Sequence, residues 1–365
     1  MRNSSVDKPL LISIIILAVA GFFIFSSASL GLLAREGSRF TNVAFSQTFY
    51  GLFLGTIALI VLSKIHYRFW RKHSLIVFVG SLILTLLVFT PLGVLINGAR
   101  RWVSLFSISF QPSEFLKIGY IIYLAAWLSG VKQKVETMRF GLLPFAIISA
   151  VAGLVLLSQP DTDTFLVMCA SGLAMFIVAG ARFRDVGIII LTGLIGLSAL
   201  VMTRPYLMER FTTFLDPSRD AYGSSYQIRQ SLIAIGSGGI TGRGFGQSIQ
   251  KFNYLPEPIG DSIFAVAAEE FGFIGSLFII GMFLFFALRG LKIAARAPDI
   301  FGGLVATGIV ILILSQSFIN IASMMGVFPL SGIPLLFISH GGTALLITLA
   351  EVGILLNISK YQKTA

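Results

Sequence analysis

Charge is scarce in this chain. Of its 365 residues only 12% are Asp, Glu, Lys or Arg, about half the share of an ordinary soluble domain. It has one cysteine, Cys169, set inside an apolar run, which excludes a disulfide framework and a thiolate metal site and reads as a small buried hydrophobe. Its three histidines, His66, His73 and His340, have no metal-ligand spacing. What it has instead is apolar: 56% hydrophobic residues, with 33 Phe and 37 Gly. A soluble fold of this length leaves too much of its surface in water to hide that content. The chain is therefore expected to be an integral membrane protein. Its net charge of +11 does not point to nucleic acid, because a basic balance is near the default where Lys and Arg collect on the cytoplasmic side.

A membrane-spanning helix needs about 20 apolar residues. That rule finds ten spans, near 9–34, 43–63, 74–96, 112–129, 140–158, 164–180, 186–203, 262–288, 301–323 and 334–357. The first is long enough to cross and shows no cleavage site. An even number of crossings puts both termini on one side. Sixteen Lys and Arg fall on that side: Arg2, Lys8, Lys64, Arg68, Arg71, Lys72, Lys132, Lys134, Arg139, Arg182, Arg184, Arg289, Lys292, Arg296, Lys360 and Lys363. The short loops opposite hold four, Arg35, Arg39, Arg100 and Arg101, so both termini are read as cytoplasmic. The expected fold is an all-α polytopic membrane protein, one domain over 1–365, with ten transmembrane helices. One long extracytoplasmic loop, 204–261, joins helices 7 and 8. In it, Tyr226–Ile235 puts Ile228, Leu232 and Ile235 on one helical face, suited to the outer interface. The smaller loop 97–111 alternates as Phe106-Ser-Ile108-Ser-Phe110, a strand pattern.

Charges in or at the ends of spans are costly, and each needs a reason. Those on the outer half are Glu114, Lys117, Asp161, Asp163, Asp261, Glu269 and Glu270, with Arg100 and Arg101 nearby; Glu351, toward the cytoplasmic end, can snorkel. Glu114 and Lys117, three apart, share a helix face. They read equally well as a neutralising pair or as an anion-binding Lys oriented by its neighbour. Asp261 opens the eighth span and reads either as a helix cap or as a carboxylate base at a lipid-accessible groove. Glu269 lies ~12 Å farther along that helix, too far to pair with it. Gly236–Gly246 holds six glycines in eleven residues. It is either a loop needing positive φ, or a set of N–H groups for a diphosphate assisted by Arg243.

Read together, these segments resemble the SEDS family (shape, elongation, division and sporulation), the FtsW/RodA membrane glycosyltransferases. The matching blocks are Asn97-Gly-Ala-Arg-Arg-Trp102, Gln111-Pro-Ser-Glu-Phe-Leu-Lys117, Gln159-Pro-Asp161 and Tyr226-Gln-Ile-Arg-Gln-Ser231. They continue through Gly236–Gly246, Leu255–Ala265 with Glu269-Glu270, and Gly332–Gly342. The resemblance implies polymerisation of lipid II, the undecaprenyl-diphosphate-linked disaccharide precursor of peptidoglycan. It puts the family's essential carboxylate on Asp261, its Gly-Ala-x-Arg-Trp arginine on Arg101 and its intramembrane lysine on Lys117. Glu114, Arg243, Glu257 and Ser339 complete the expected substrate-binding set. The chemistry agrees: a sugar hydroxyl needs a base as it attacks, and a departing diphosphate needs cations. A divalent cation, Mg2+ or Mn2+, can share the second task; no organic cofactor is expected.

Three departures stand out. Asp163 replaces a Gly of the usual Gln-Pro-Asp-Leu-Gly-Thr, Gly260 precedes Asp261 where Thr is usual, and His340 replaces a Tyr. The resemblance implies a separate class B penicillin-binding transpeptidase as partner, with other division or elongation proteins. Gly98-Ala-Arg-Arg-Trp102, Phe214-Leu-Asp-Pro217 and Ser248–Lys251 lean toward the FtsW branch. The alternative from another class is a flippase for a lipid-linked precursor. It would need polar groups through both leaflets, whereas the unexplained charges here cluster in the outer half. An inactive division scaffold is the third reading.

Overall fold

The computed structural model describes residues 6–35, 37–96, 98–105, 108–216 and 225–362; Arg2, Asn97, Phe106, Pro217 and Lys363 lie outside them. In chain order the helices are α1 (Lys8–Arg35), α2 (Gly37–Phe45), α3 (Gly55–Lys64), α4 (Arg68–Lys72) and α5 (Ser74–Leu86). Next come α6 (Pro112–Val131), α7 (Leu143–Ser158), α8 (Thr162–Val178), α9 (Phe183–Thr203) and α10 (Pro205–Leu215). The remainder are α11 (Tyr226–Ser237), α12 (Gln250–Asn253), α13 (Ile263–Ala295), α14 (Ile300–Met324) and α15 (Gly342–Ser359).

Among the described residues eight helices are long and apolar enough to span a membrane, and Ser74–Phe89 and Thr162–Val178 are shorter apolar helices. All ten expected spans thus have a helix, with two corrections of extent. The third ends at Phe89, where the chain turns into a sheet, and the tenth is helical only from Gly342. The described part of the segment 204–261 carries α10, α11 and α12.

Burial separates the centre from the rim. The span of α15 is 89% buried and that of α14 72%, whereas that of α9 is 6% buried and shows Leu191, Leu194 and Ile195 outward. A helix apolar all round suits either place, so its hydropathy alone does not choose. Helix α14 packs against α6, α8, α13 and α15, while α15 also packs on α3, and α1 on α13. The two described chain ends meet at one end of the bundle. There the Asp7 N–H donates to Ser359 Oγ at 3.1 Å, Arg289 pairs with Asp7 at 2.7 Å, and Lys360 Nζ donates to the Ser63 carbonyl at 2.7 Å.

At the opposite end, β1 (Gly93–Ile96), β2 (Ala99–Leu105) and β3 (Ile108–Phe110) form an antiparallel sheet in that order. Val94 pairs with Trp102 and Leu95 with Arg100, with an irregular register between them. Side chains alternate along a strand, so Arg101 shares a face with Val103, which is buried. That register turns Arg101 inward and leaves Arg100 exposed.

Helix α13 is 33 residues long and broken at Gly272, whose φ of +67° and ψ of −161° are not helical. The break orphans the N–H groups of Phe273 and Ile274 and the carbonyls of Glu269 and Glu270, which inside a membrane must find partners. The glycine-rich run supplies all four. Phe273 and Ile274 donate to the Gly239 and Ile240 carbonyls at 2.9 and 3.1 Å, while Arg243 and Gly244 donate to those of Glu269 and Glu270 at 3.0 and 2.9 Å. A Cβ on Gly272 would stand 2.3 Å from the Gly242 N, and one on Gly242, at φ +81°, would stand 2.1 Å from the Glu270 carbonyl oxygen. Gly272→Ala is accordingly expected to lower the thermal unfolding midpoint of the purified protein by several degrees. Gly281→Ala, with nothing within 4 Å of the added carbon, is expected to leave it unchanged. Equal midpoints for the two variants would contradict this account of the break.

Candidate active site

Asp261 sits just before α13, at the end of the bundle opposite the chain termini. It does not cap the helix: the N-cap is Ser262, and no side chain fills that role. The capping alternative for Asp261 is thereby removed. Its Oδ1 is buried without a hydrogen-bond partner among the described residues. Burial, helped by the like charge of Glu257, pushes its pKa up to about 7; Gln227 and the Arg210 charge act the other way. Glu257 holds a left-handed φ of +44°, and its carbonyl accepts from Gly260 and Ser262 at 3.0 and 3.2 Å. A non-glycine residue in that region needs its surroundings to hold it there.

The backbone around Asp261 is clamped by Asn320 of α14 and by the non-helical stretch that precedes α15. Asn320 of α14 donates through Nδ2 both to the Asp261 carbonyl at 2.8 Å and to that of Ile333 at 2.9 Å. Ser339 Oγ donates to the Gly260 carbonyl at 2.7 Å and accepts from the Leu335 N–H at 2.8 Å. The His340 N–H donates to the Ile259 carbonyl at 2.7 Å. Gln47 reaches the same stretch, donating to the Ser339 carbonyl at 3.1 Å and accepting from Gly341 at 3.0 Å. Ser339 thus acts on the loop of Asp261 through the backbone.

Glu114 and Lys117 are 2.8 Å apart and both nearly fully buried. Lys117 Nζ also donates to Gln316 Oε1 at 2.8 Å, and Gln316 Nε2 donates to the Pro334 carbonyl at 3.2 Å. The pair therefore connects, through Gln316, to the same non-helical 333–341 stretch that Asn320 and Ser339 hold. Glu351 is corrected by the structure: it lies mid-helix in α15, 1% exposed, with the charges of Lys117 and Glu114 nearby, and does not snorkel.

The remaining charges form three clusters. Arg101 donates to the carbonyls of Gln159, at 3.4 Å, and Pro160, and lies 3.6 Å from Asp161. Arg210 of α10 pairs with Asp163 at 2.8 Å. Around the break in α13, Glu269 accepts from Ser248 Oγ at 2.5 Å and from the N–H groups of Ile249 and Gln250, with Arg243 Nε at 3.4 Å. Beside it Lys251 and Glu270 make a fully buried ion pair at 2.7 Å, joined by Ser27 of α1. Of the residues singled out from sequence, Asp261, Glu257 and Ser339 come together, with Lys117 and Glu114 linked to them through Gln316. Arg101 turns to Asp161 and Arg243 to Glu269. Sequence reasoning missed Asn320, Gln316, Gln47, Arg210 and Lys251. Gln316 and Asn320 carried a usable signal, being amides four apart in an otherwise apolar span.

The FtsW/RodA/SpoVE cell cycle protein model matches residues 8–364. The chain belongs to this family. Its members similar to this chain include stage V sporulation protein E of Bacillus subtilis (strain 168), 39% identical over 354 residues, 97% of this chain and 96% of that one. The probable peptidoglycan glycosyltransferase FtsW of Geobacter sp. (strain M18) is 38% identical over 365 residues, 100% and 99% of the two chains. Among solved structures, Thermus thermophilus RodA superposes with a TM-score of 0.72 at 25% identity, covering 99% of this chain and 98% of its own. A chain of a peptidoglycan synthase complex that coordinates polymerization and crosslinking does so with a TM-score of 0.78 at 27% identity, covering 98% and 99%. The family's all-helical polytopic architecture is the one described above.

Removing one member of a buried ion pair strands the other, at a cost of about 3–5 kcal/mol. Lys251→Met is expected to destabilise the protein by that order, and Lys251→Met with Glu270→Leu to recover most of the loss. Thermal unfolding in detergent measures both; a double variant no more stable than the single one would contradict the reading of this pair as a structural staple.

Proposed function

We propose that this chain is a peptidoglycan glycosyltransferase that polymerises lipid II at the outer face of the cytoplasmic membrane. The observation that carries this reading is the Asp261 carboxylate, held just ahead of α13 with one oxygen buried and unpartnered among the described residues and an affinity for protons suited to neutral pH. The acceptor sugar's 4-hydroxyl attacks the donor's anomeric carbon from the side opposite the diphosphate. The new C–O bond forms as the bond to the diphosphate breaks, the hydroxyl proton passes to Asp261, and undecaprenyl diphosphate leaves. A single displacement of this kind inverts the anomeric centre. A base whose pKa lies near the working pH is the efficient choice.

Arg101, Lys117 and Arg243 supply fixed positive charge for the departing diphosphate, with Glu114 and Gln316 fixing Lys117 and with Glu257 and Ser339 shaping the loop of Asp261. Preorganised cations of this sort stabilise charge where it develops. Among the described residues no three His, Cys, Asp or Glu side chains converge to hold a metal ion. A divalent cation, Mg2+ or Mn2+, would share with these cations the task of stabilising the departing diphosphate. Both termini are cytoplasmic, which puts Asp261 outside, on the strength of the sixteen Lys and Arg on the terminal side. A class B transpeptidase is the partner, in keeping with the synthase complex in which a similar chain is found. An FtsW-type role in cell division, rather than elongation, is the reading that the similar proteins named FtsW favour.

Asp261→Asn is expected to fold and bind lipid II but to make no glycan chains, as read on gels of the purified protein with lipid II; undiminished polymer from this variant would sink the proposal. The base must be deprotonated to act, so kcat/KM is expected to rise with pH up to about 7 and level off above it. Glu257→Gln removes the like charge and is expected to move that limb to lower pH. A profile flat from acid to neutral pH would exclude Asp261 as the titrating base.

A further inference from the structure

We infer that Arg210 is a further substrate-binding cation, which grips the diphosphate of the lipid-linked donor after exchanging its present partner Asp163 for the substrate. The inference rests on the glycosyltransferase reading above and adds a residue to it.

Position comes first. Arg210 lies on α10, and that helix is docked on the outer end of α8 by two contacts: Arg210 to Asp163 at 2.8 Å, and Tyr206 OH with Thr162 Oγ1 at 2.9 Å. Its guanidinium stands over the stretch that holds Asp261, because a Cβ built on Gly332 would lie 3.5 Å from Arg210 Nη2. Gly332 adjoins Ile333, and the Ile333 and Asp261 carbonyls accept from the same Asn320 Nδ2 at 2.9 and 2.8 Å. Two bonds therefore separate the loop of Asp261 from the backbone under Arg210. The Arg210 charge acts on Asp261 through that space.

Availability comes second. Arg101 has all three guanidinium nitrogens engaged, on Gln159, Pro160 and Asp161. Lys117 is held by Glu114 and Gln316 and is 2% exposed. Arg243 is 37% exposed, but it lies on the glycine-rich run and is paired with a fully buried carboxylate, Glu269. Arg210 differs. Among the described residues only its Nη1 donates, its side chain is 29% exposed, and its remaining N–H groups form the planar fork that matches phosphate oxygens.

Exchange comes third. Asp163 Oδ2 also accepts from the Gly332 N–H at 3.1 Å, so the carboxylate keeps a hydrogen bond when Arg210 leaves. Cation and anion here are both partly exposed, so parting them carries far less cost than parting a buried pair such as Lys251 and Glu270.

The test uses the full-length protein in detergent, with undecaprenyl diphosphate as the probe and undecaprenyl monophosphate as its control. Arg210→Gln keeps a donor for Asp163 but removes the charge, and is expected to weaken the diphosphate lipid by about tenfold or more, with a smaller effect on the monophosphate. Asp163→Asn frees Arg210 and is expected to bind the diphosphate lipid at least as tightly as the wild type. A merely structural pair would move both variants alike, since both break the same ion pair. Equal losses, or no loss with Arg210→Gln, would overturn the assignment. Polymerisation by Asp261→Asn is read separately: glycan made by that variant refutes the catalytic reading, and the two lipid affinities then judge Arg210 independently.

Discussion

Wherever a chain leaves the helix inside a membrane, its freed N–H and C=O groups must be paired, and the end of the bundle that holds Asp261 is organised by that requirement. It arises twice. At Gly272 the groups freed by the break in α13 are taken up by the backbone of the glycine-rich run. Over residues 333–341, ahead of α15, they are taken up by side chains of Gln47, Gln316, Asn320 and Ser339. Both irregular stretches are thereby made rigid. Asp261 lies eleven residues before the Gly272 break, and its loop is tied to the 333–341 stretch through Asn320, Ser339 and His340, so it inherits that rigidity.

The clamps act on carbonyls and N–H groups and spare the carboxylate. Asn320 binds the Asp261 carbonyl, Ser339 that of Gly260 and His340 that of Ile259, while Asp261 Oδ1 has no partner among the described residues. A carboxylate removed from water and only partly compensated by hydrogen bonds, as Asp261 is by Gln227, holds its proton more tightly. The same packing that fixes the loop thus makes a base fit for neutral pH. An Asp261 carboxylate engaged in capping α13 would have been drawn the other way, toward a stably ionised and unreactive state.

The division between what sequence shows and what it hides follows the range of the interactions. The spans were legible because hydropathy over about 20 residues is a local property. Their ends were less so: the tenth span begins eight residues later than its hydropathy, because Pro334–Gly341 is apolar yet spends its backbone on Gln316, Gln47 and Ser339. Asp261, Glu257 and Ser339 were legible from motifs, although the role of Ser339, acting through the Gly260 carbonyl, was not. Glu351 was misplaced because the start of its helix was. The glycine run kept two readings open from sequence, and two of its N–H groups, those of Arg243 and Gly244, are spent on α13. Arg210 and Lys251 could not be found, since their meaning lies in partners 47 and 224 residues away.

Charge balance supplies the last constraint. Nearly every carboxylate of the outer half already has a cation or a set of N–H donors: Glu114 has Lys117, Asp161 has Arg101, Asp163 has Arg210, Glu270 has Lys251, and Glu269 has Arg243 with three donors besides. Under the proposed function, an incoming diphosphate would find no idle cation among these pairs and would have to share or displace a carboxylate. Displacement is least costly where the pair is wet and the abandoned anion keeps another hydrogen bond. The buried pairs instead do their work in place, as a fixed field that the substrate meets without reorganisation. On that reading the cations divide by the burial of the carboxylates they face: buried ones fix their cations in place, and the partly exposed Asp163 leaves Arg210 able to change partners.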